Sequence, residues 1–212
     1  MKKIEIKIWS DLVCPFCYIG KRRLEKAIAN LTDEVEIRLE WKSFQLDPSV
    51  ESDASKTVYE YLAERYGRSL EWSKQSHEQV TKMAAGEGLE YHFEKAKISN
   101  SWDAHRLIKL ASADPKQNAL VERLFKGHFS NGESISDVQF LVNVAKEVGL
   151  NLSEIEKFRE ANSGSAEVKR DILEARQIGI SGVPFFLFNN KYAVSGAQSE
   201  AHFMQVLKMC LE

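Results

Sequence analysis

The sequence predicts an α/β fold in which a strand-helix-strand unit at one end, and a hairpin with a terminal helix at the other, flank a long all-helical insertion. Three observations predict it. Apolar and charged residues alternate through Ile4, Ile6 and Ile8 and again through Val35, Ile37, Leu39 and Trp41, with a helical pattern between the two runs. From Asp47-Pro48 to about Asn162 the strand signal disappears and helical stripes with recognisable caps replace it. Phe185 to Phe188 and Tyr192 to Ser195 are then two short apolar runs joined by Asn189-Asn190, as in a tight hairpin.

Leu24, Ala27, Ile28 and Leu31 share one helical face between the first two strands, and a strand-helix-strand unit of this length is a right-handed crossover with parallel strands. In the insertion, Val58, Tyr61, Leu62 and Tyr66 form a stripe ended by Gly67, and Leu70, Ser73, His77, Val80 and Met83 form another running into Gly86 and Gly88. Trp102, Leu107, Ile108, Leu110 and Ala111 belong to a third helix. Asp114-Pro115 opens a fourth, with Leu120, Leu124, Phe125 and Phe129 inward and Asn131-Gly132 as its stop. Ser136 opens a fifth ended by Gly149, and Ser153-Glu154-Ile155-Glu156 has capping-box spacing for a sixth. Val168, Ile172, Ala175 and Ile178 make a helix closed by Gly179 before the hairpin. One domain over residues 1–212 is expected, its core formed by 1–46 and 163–212 and its insertion covering about 47–162.

Cys14-Pro15-Phe16-Cys17 stands where the first strand hands over to the helix. Helix N-terminal N–H groups lack intrahelical partners and carry partial positive charge, which favours a thiolate at Cys14. Pro15 fits the first turn, where its missing N–H costs nothing, and the two-residue spacer lets Cys17 reach the Cys14 sulfur. Cys14 then attacks and Cys17 resolves. A buried structural cysteine pair and half of a zinc site are the other readings. Structural zinc sites need about four ligands, and beyond this pair the chain offers Cys210 and five scattered histidines. Gly182-Val183-Pro184, just before the hairpin, is the second informative stretch. Pro184 reads either as an edge-strand proline or as the second residue of a cis bond, for which the trans preference to overcome is only about 0.5 to 1 kcal/mol.

A formal charge of −2 and a pI near 6.3 give no electrostatic case for nucleic acid or an anionic membrane surface. Charges in Ile4-Glu5-Ile6-Lys7-Ile8 interrupt any secretory h-region, and no stretch approaches the ~20 apolar residues of a membrane helix. A cytoplasmic protein is expected, with protein or small-molecule thiols and disulfides as partners; the oligomeric state is not legible.

Strand, C-x-x-C helix, strand, helices, then Val-Pro before a hairpin and terminal helix resembles a thioredoxin-like fold with a large all-helical insertion. That combination is similar to the DsbA family of thiol-disulfide oxidoreductases. Trp9-Ser10-Asp11-Leu12-Val13-Cys14-Pro15-Phe16-Cys17-Tyr18-Ile19-Gly20 resembles its cytoplasmic FrnE-like branch, as do Asn100 to Arg106 and Val194 to Gln198. The resemblance implies Cys14 as nucleophile, Cys17 as resolving thiol and Pro184 as a cis proline facing them, with Pro15 and Phe16 supporting the site. It implies that Val183 offers its backbone to an extended substrate. No metal and no bound cofactor are implied; the redox group is a Cys14–Cys17 disulfide, with glutathione as a possible reductant. Phe16 departs from the family, where periplasmic members commonly have His and FrnE-like members often Trp. It has no donor for a thiolate, so weaker thiolate stabilisation is expected.

Kappa-type glutathione transferases and 2-hydroxychromene-2-carboxylate isomerases resemble the same architecture but typically carry Ser at the position of Cys14. A third reading is a non-catalytic chaperone holding apolar peptide on Phe16 and Val183. Cys210 shares a helical face with Phe203, Val206 and Leu207 and is expected in the core. His77, His105 and His128 read as hydrogen-bonded interior residues, and Asp11 and Arg106 as either tuning groups or solvated ones.

Overall fold

In the computed structural model, which describes residues 2–31, 35–51, 55–112, 114–160 and 162–212, the chain divides into two compact units, Met1–Leu46 with Ser165–Glu212 and Asp47–Gly164. The first unit holds a four-stranded sheet, order β2-β1-β3-β4, made by β1 (Lys2–Ser10), β2 (Val35–Ser43), β3 (Phe185–Phe188) and β4 (Tyr192–Ser195). β1 and β2 run parallel with Ile4 opposite Ile37 and Ile8 opposite Trp41, while β3 lies antiparallel to both β1 and β4. Asn189 and Asn190 take φ of 49° and 52°, the left-handed pair that a two-residue hairpin turn requires.

Because side chains alternate along a strand, Ile4, Ile6 and Ile8 enter one face together, and Phe186 and Phe188 join them through the register Ile8↔Phe186 and Ile6↔Phe188. Helices α1 (Pro15–Ala29) and α9 (Glu200–Met209) cover that face; Phe203 of α9 meets Phe186 edge to face with ring centroids 4.8 Å apart. On the other face Trp9 packs with Ala175 and Ile180, and α8 (Ser165–Gln177) is fastened by its Asp171. The Asp171 carbonyl accepts from the Trp9 indole at 3.1 Å, and its carboxylate accepts from Ser43 N at 3.0 Å and pairs with Lys42 at 3.2 Å. The expected inward face of α8 stops short, since the helix ends at Gln177 and Ile178 is exposed.

The second unit is helical among its described residues: α2 (Val58–Tyr66), α3 (Leu70–Gly86), α4 (Trp102–Leu110), α5 (Gln117–Lys126), a π-helical turn (Gly127–Asn131), α6 (Val138–Glu147) and α7 (Leu152–Arg159). Thr57 and Glu60 form a reciprocal capping box that opens α2. The stripes drawn for α2 and α3 are only partly inward, because these two helices pack on each other. Ala63, Ser73 and Ala84 are their buried residues, and Tyr66, 61% exposed, leans on Trp72. The fourth stripe runs on past α5 through the π turn and stops at Gly132, whose φ of 70° suits glycine and where a Cβ would lie 2.6 Å from the Lys95 carbonyl oxygen. Three predicted starts shift, the first being that of α5, which begins at Gln117 with Lys116 at its N-cap and no side-chain capping bond, and not at Asp114-Pro115. Asp137, not Ser136, caps α6 by accepting from Gln139 and Phe140 N–H groups. Asn151, not Ser153, caps α7: the Ser153 hydroxyl is itself spent donating to Asn151 Oδ1 at 3.0 Å.

Candidate active site

The loop from β1 to α1 is tied down by Asp11. Its carbonyl accepts from Cys14 N at 3.0 Å, and its carboxylate accepts from Val13 N at 3.4 Å and from Leu46 N at 2.7 Å. With only 1% of its surface exposed, Asp11 is a buried anchor that holds the loop to the chain leaving β2, which settles the solvated alternative against it. Cys14 sits at the N-cap of α1 in an extended conformation (φ −91°, ψ 111°) and makes no side-chain capping bond. Pro15 then opens the helix, and Cys17 N donates to Cys14 O at 3.0 Å. No acidic residue occupies the first turn of α1, so nothing there offsets the positive end of the helix for a thiolate on Cys14.

Both cysteines are free and buried, Cys14 3% and Cys17 2% exposed. The Cys14 thiol donates to the Val183 carbonyl at 3.5 Å, so the strand segment before the hairpin is brought directly onto the motif. Burial pushes the Cys17 thiol well above its ordinary range, and Cys14, as hydrogen-bond partner and as a charge, pushes the same way. The Ser10 hydroxyl and the Asp11 backbone oppose them. The Val183–Pro184 peptide is cis, Pro184 is buried, and its carbonyl accepts from Gly196 N at 2.8 Å. α1 approaches this loop through Gly20: a Cβ there would stand 3.1 Å from both Pro184 Cγ and Phe186 Cζ. The sequence signal for that contact is a glycine inside a helical run, which marks close packing. Phe16, the second residue of α1, is 39% exposed.

Cys14, Cys17, Pro15, Phe16, Val183 and Pro184 are therefore gathered at the carboxyl end of β1. Ser10 and Gly20 join them without having been singled out by residue type. Cys210 is not in the core as expected. It is half-buried at the C-cap of α9, one residue past the helix end at Met209, and burial raises its thiol while Lys191 works against that. In the helical unit His105 and His128 are buried. His77 donates from Nδ1 to the Ser73 carbonyl at 2.8 Å between the Tyr59 and Phe93 rings, and burial lowers it from the ordinary imidazole value. Arg106 binds Asp103 and the carbonyls of Phe158, Glu160 and Ser163. Among the described residues no group of three His, Cys, Asp or Glu side chains could hold a metal ion, and no helix is long and apolar enough to cross a membrane.

A family model described as DSBA-like thioredoxin domain matches residues 5–208. The chain is 34% identical to a probable DsbA oxidoreductase, SCO1869 of Streptomyces coelicolor, covering 98% of this chain and 90% of that one with a TM-score of 0.88. The uncharacterized protein YwbO of Bacillus subtilis is 29% identical over 217 residues, 96% of each chain. The cytosolic disulfide reductase DsbM of Pseudomonas aeruginosa, at 17% identity, shares the fold with a TM-score of 0.67 over 98% of both chains.

Proposed function

Because this chain belongs to the DSBA-like thioredoxin domain family, we propose that it is a dithiol-disulfide oxidoreductase exchanging disulfides with protein or small-molecule thiols through Cys14 and Cys17. The observation that carries the reading is the asymmetry of the pair. Cys14 lies at the positive end of α1 facing Val183, while Cys17 is enclosed one turn on and held as a neutral thiol. In the reducing direction the Cys14 thiolate attacks a substrate disulfide, one substrate sulfur leaves with the bonding electrons, and a mixed disulfide remains on Cys14. Cys17 then attacks the Cys14 sulfur, the internal disulfide closes, and the second substrate sulfur leaves and takes up the proton. Run backwards, the same steps oxidise a substrate dithiol. The Val183 carbonyl, released when Cys14 gives up its thiol proton, is placed to accept from the backbone N–H of an extended substrate.

This chemistry needs no metal or bound cofactor, and glutathione fits as a small-thiol reductant of the closed disulfide. Partners other than nucleic acid agree with the formal charge of −2. The test is equilibration in glutathione buffers of graded ratio. A reversible loss of two hydrogens mapped to the Cys14–Cys17 peptide, together with turnover of a disulfide reporter, is expected. A protein that never closes this bond yet binds glutathione and turns over as a transferase or isomerase overturns the reading.

Phe16→His is expected to make the couple more oxidising by about 30 mV or more, the equivalent of about 1.4 kcal/mol for two electrons. The exposed Phe16 ring offers no donor, whereas an imidazole N–H beside Cys14 stabilises the thiolate of the reduced form. A potential that is unchanged or lower in the same buffers removes this account of Phe16.

A further inference from the structure

β1 sends alternate side chains to the face covered by α1 and α9, and after Ile4, Ile6 and Ile8 the next in that series is Ser10. A hydroxyl breaks an apolar series one residue before the active-site loop. Its partner across the parallel ladder is Ser43, so two hydroxyls lie side by side at the carboxyl ends of β1 and β2. Both residues are buried, and neither Oγ has a hydrogen-bond partner among the described residues. A buried hydroxyl without a partner has lost its hydration for nothing in return, so interiors keep few of them and each requires a reason.

Cys17 is enclosed on the first turn of α1, the helix that covers this face of β1, and of the groups that bear on its thiol the Ser10 hydroxyl and the Asp11 backbone favour the thiolate. We propose that Ser10 is a positioning residue for the resolving half of the exchange, its Oγ–H held ready for the negative charge that Cys17 carries only while it attacks, or departs from, the Cys14 sulfur. This rests on the exchange reading of Cys14 and Cys17. As the Cys17–Cys14 bond forms, the bond from Cys14 to the substrate sulfur breaks and its electron pair leaves with the substrate. The proton lost by Cys17 ends on that substrate thiol, and Ser10 keeps its own proton throughout. A donor fixed before the charge appears needs no reorganisation when it does, which accounts for a hydroxyl left unpaired beside a neutral thiol.

The test uses the reduced full chain and Ellman's reagent, in a Cys210→Ser background so that two thiols report. Cys14 attack releases a first equivalent of thionitrobenzoate and leaves an adduct on Cys14; Cys17 attack on that adduct releases a second and closes the disulfide. With Ser10→Ala the second phase is expected to slow about tenfold or more while the first is unchanged, the loss of one hydrogen bond to a charged sulfur. Ser10→Thr, which keeps the donor, is expected to restore most of the rate. A Ser10→Ala second phase as fast as the parent's overturns the proposal, as does a fall in both phases that Thr fails to repair, which marks a packing role. A parent protein that never releases the second equivalent overturns the exchange reading itself and the proposal with it.

Discussion

Cys14→Ser is expected to abolish disulfide exchange without capturing substrate, while Cys17→Ser is expected to begin the reaction and accumulate a covalent mixed disulfide that dithiothreitol dissolves. The difference follows from where the two sulfurs stand. Cys14 is the N-cap of α1, with no side-chain capping bond, no acid in the first turn and the Val183 carbonyl 3.5 Å from its sulfur. Removing it removes the only sulfur of the pair on which attack can start. Cys17 is buried and kept as a thiol, so its loss leaves attack intact and deletes release. Cys210→Ser serves as the comparison. Half-buried at the far end of α9, it is expected to leave both steps as they are and to cost little in packing. Non-reducing gels and intact mass on the three single mutants read the pattern directly. A Cys17→Ser protein that traps no thiol partner while retaining glutathione-dependent turnover sinks the assignment.

The parts of this site that the sequence made legible are those where local pattern and chemistry coincide. Alternation through Ile4, Ile6 and Ile8 followed by Cys-Pro-Phe-Cys marks a strand end, a helix start and a thiol pair in one stretch, and Asn189-Asn190 marks the hairpin that carries Pro184 back beside β1. What was not legible depends on partners distant in sequence. Asp11 read as tuning or solvated because the Leu46 N–H that donates to its carboxylate is 35 residues away and reaches it only in the fold. Ser10 is an ordinary residue until its buried oxygen is seen to have no partner among the described residues. Gly20 carries no reading of its own in the sequence, and its role is to let Pro184 and Phe186 approach. Cys210 erred in the other direction: its spacing from Phe203 and Val206 fits the buried face, but the helix ends at Met209 and the periodic argument ends with it. The α2 and α3 stripes failed for a related reason, since two amphipathic helices that pack mainly on each other leave part of each stripe in water.

Arg106→Ala is expected to be the most destabilising single change outside the redox motif, by about 3 kcal/mol, with Arg106→Lys losing roughly half as much. Sequence alone left Arg106 between a tuning charge and a solvated one, and its geometry supports neither. The guanidinium donates from Nε to the Ser163 carbonyl at 2.9 Å, from Nη2 to the carbonyls of Glu160 at 2.8 Å and Phe158 at 3.3 Å, and from Nη1 to Asp103 at 2.8 Å. Those carbonyls belong to the last turn of α7 and the segment after it, where a helix has acceptors without intrahelical donors and a partial negative charge. The Phe158 ring lies 5.3 Å from the guanidinium carbon and adds a cation-π contact. The backbone is shaped to the same purpose: Gly164 has a φ of 79°, and a Cβ there would come within 2.8 Å of the Arg106 carbonyl oxygen. Alanine leaves three carbonyls and the Asp103 carboxylate to find other partners, whereas lysine keeps the charge but cannot donate along three fixed directions at once. Urea unfolding followed by circular dichroism, or a Tm lower by about 6 to 12 °C for a chain of this size, would show the loss. A decrease below about 1 kcal/mol in Arg106→Ala would place Arg106 among ordinary surface charges and dissolve this account of how α4 is held to the end of α7.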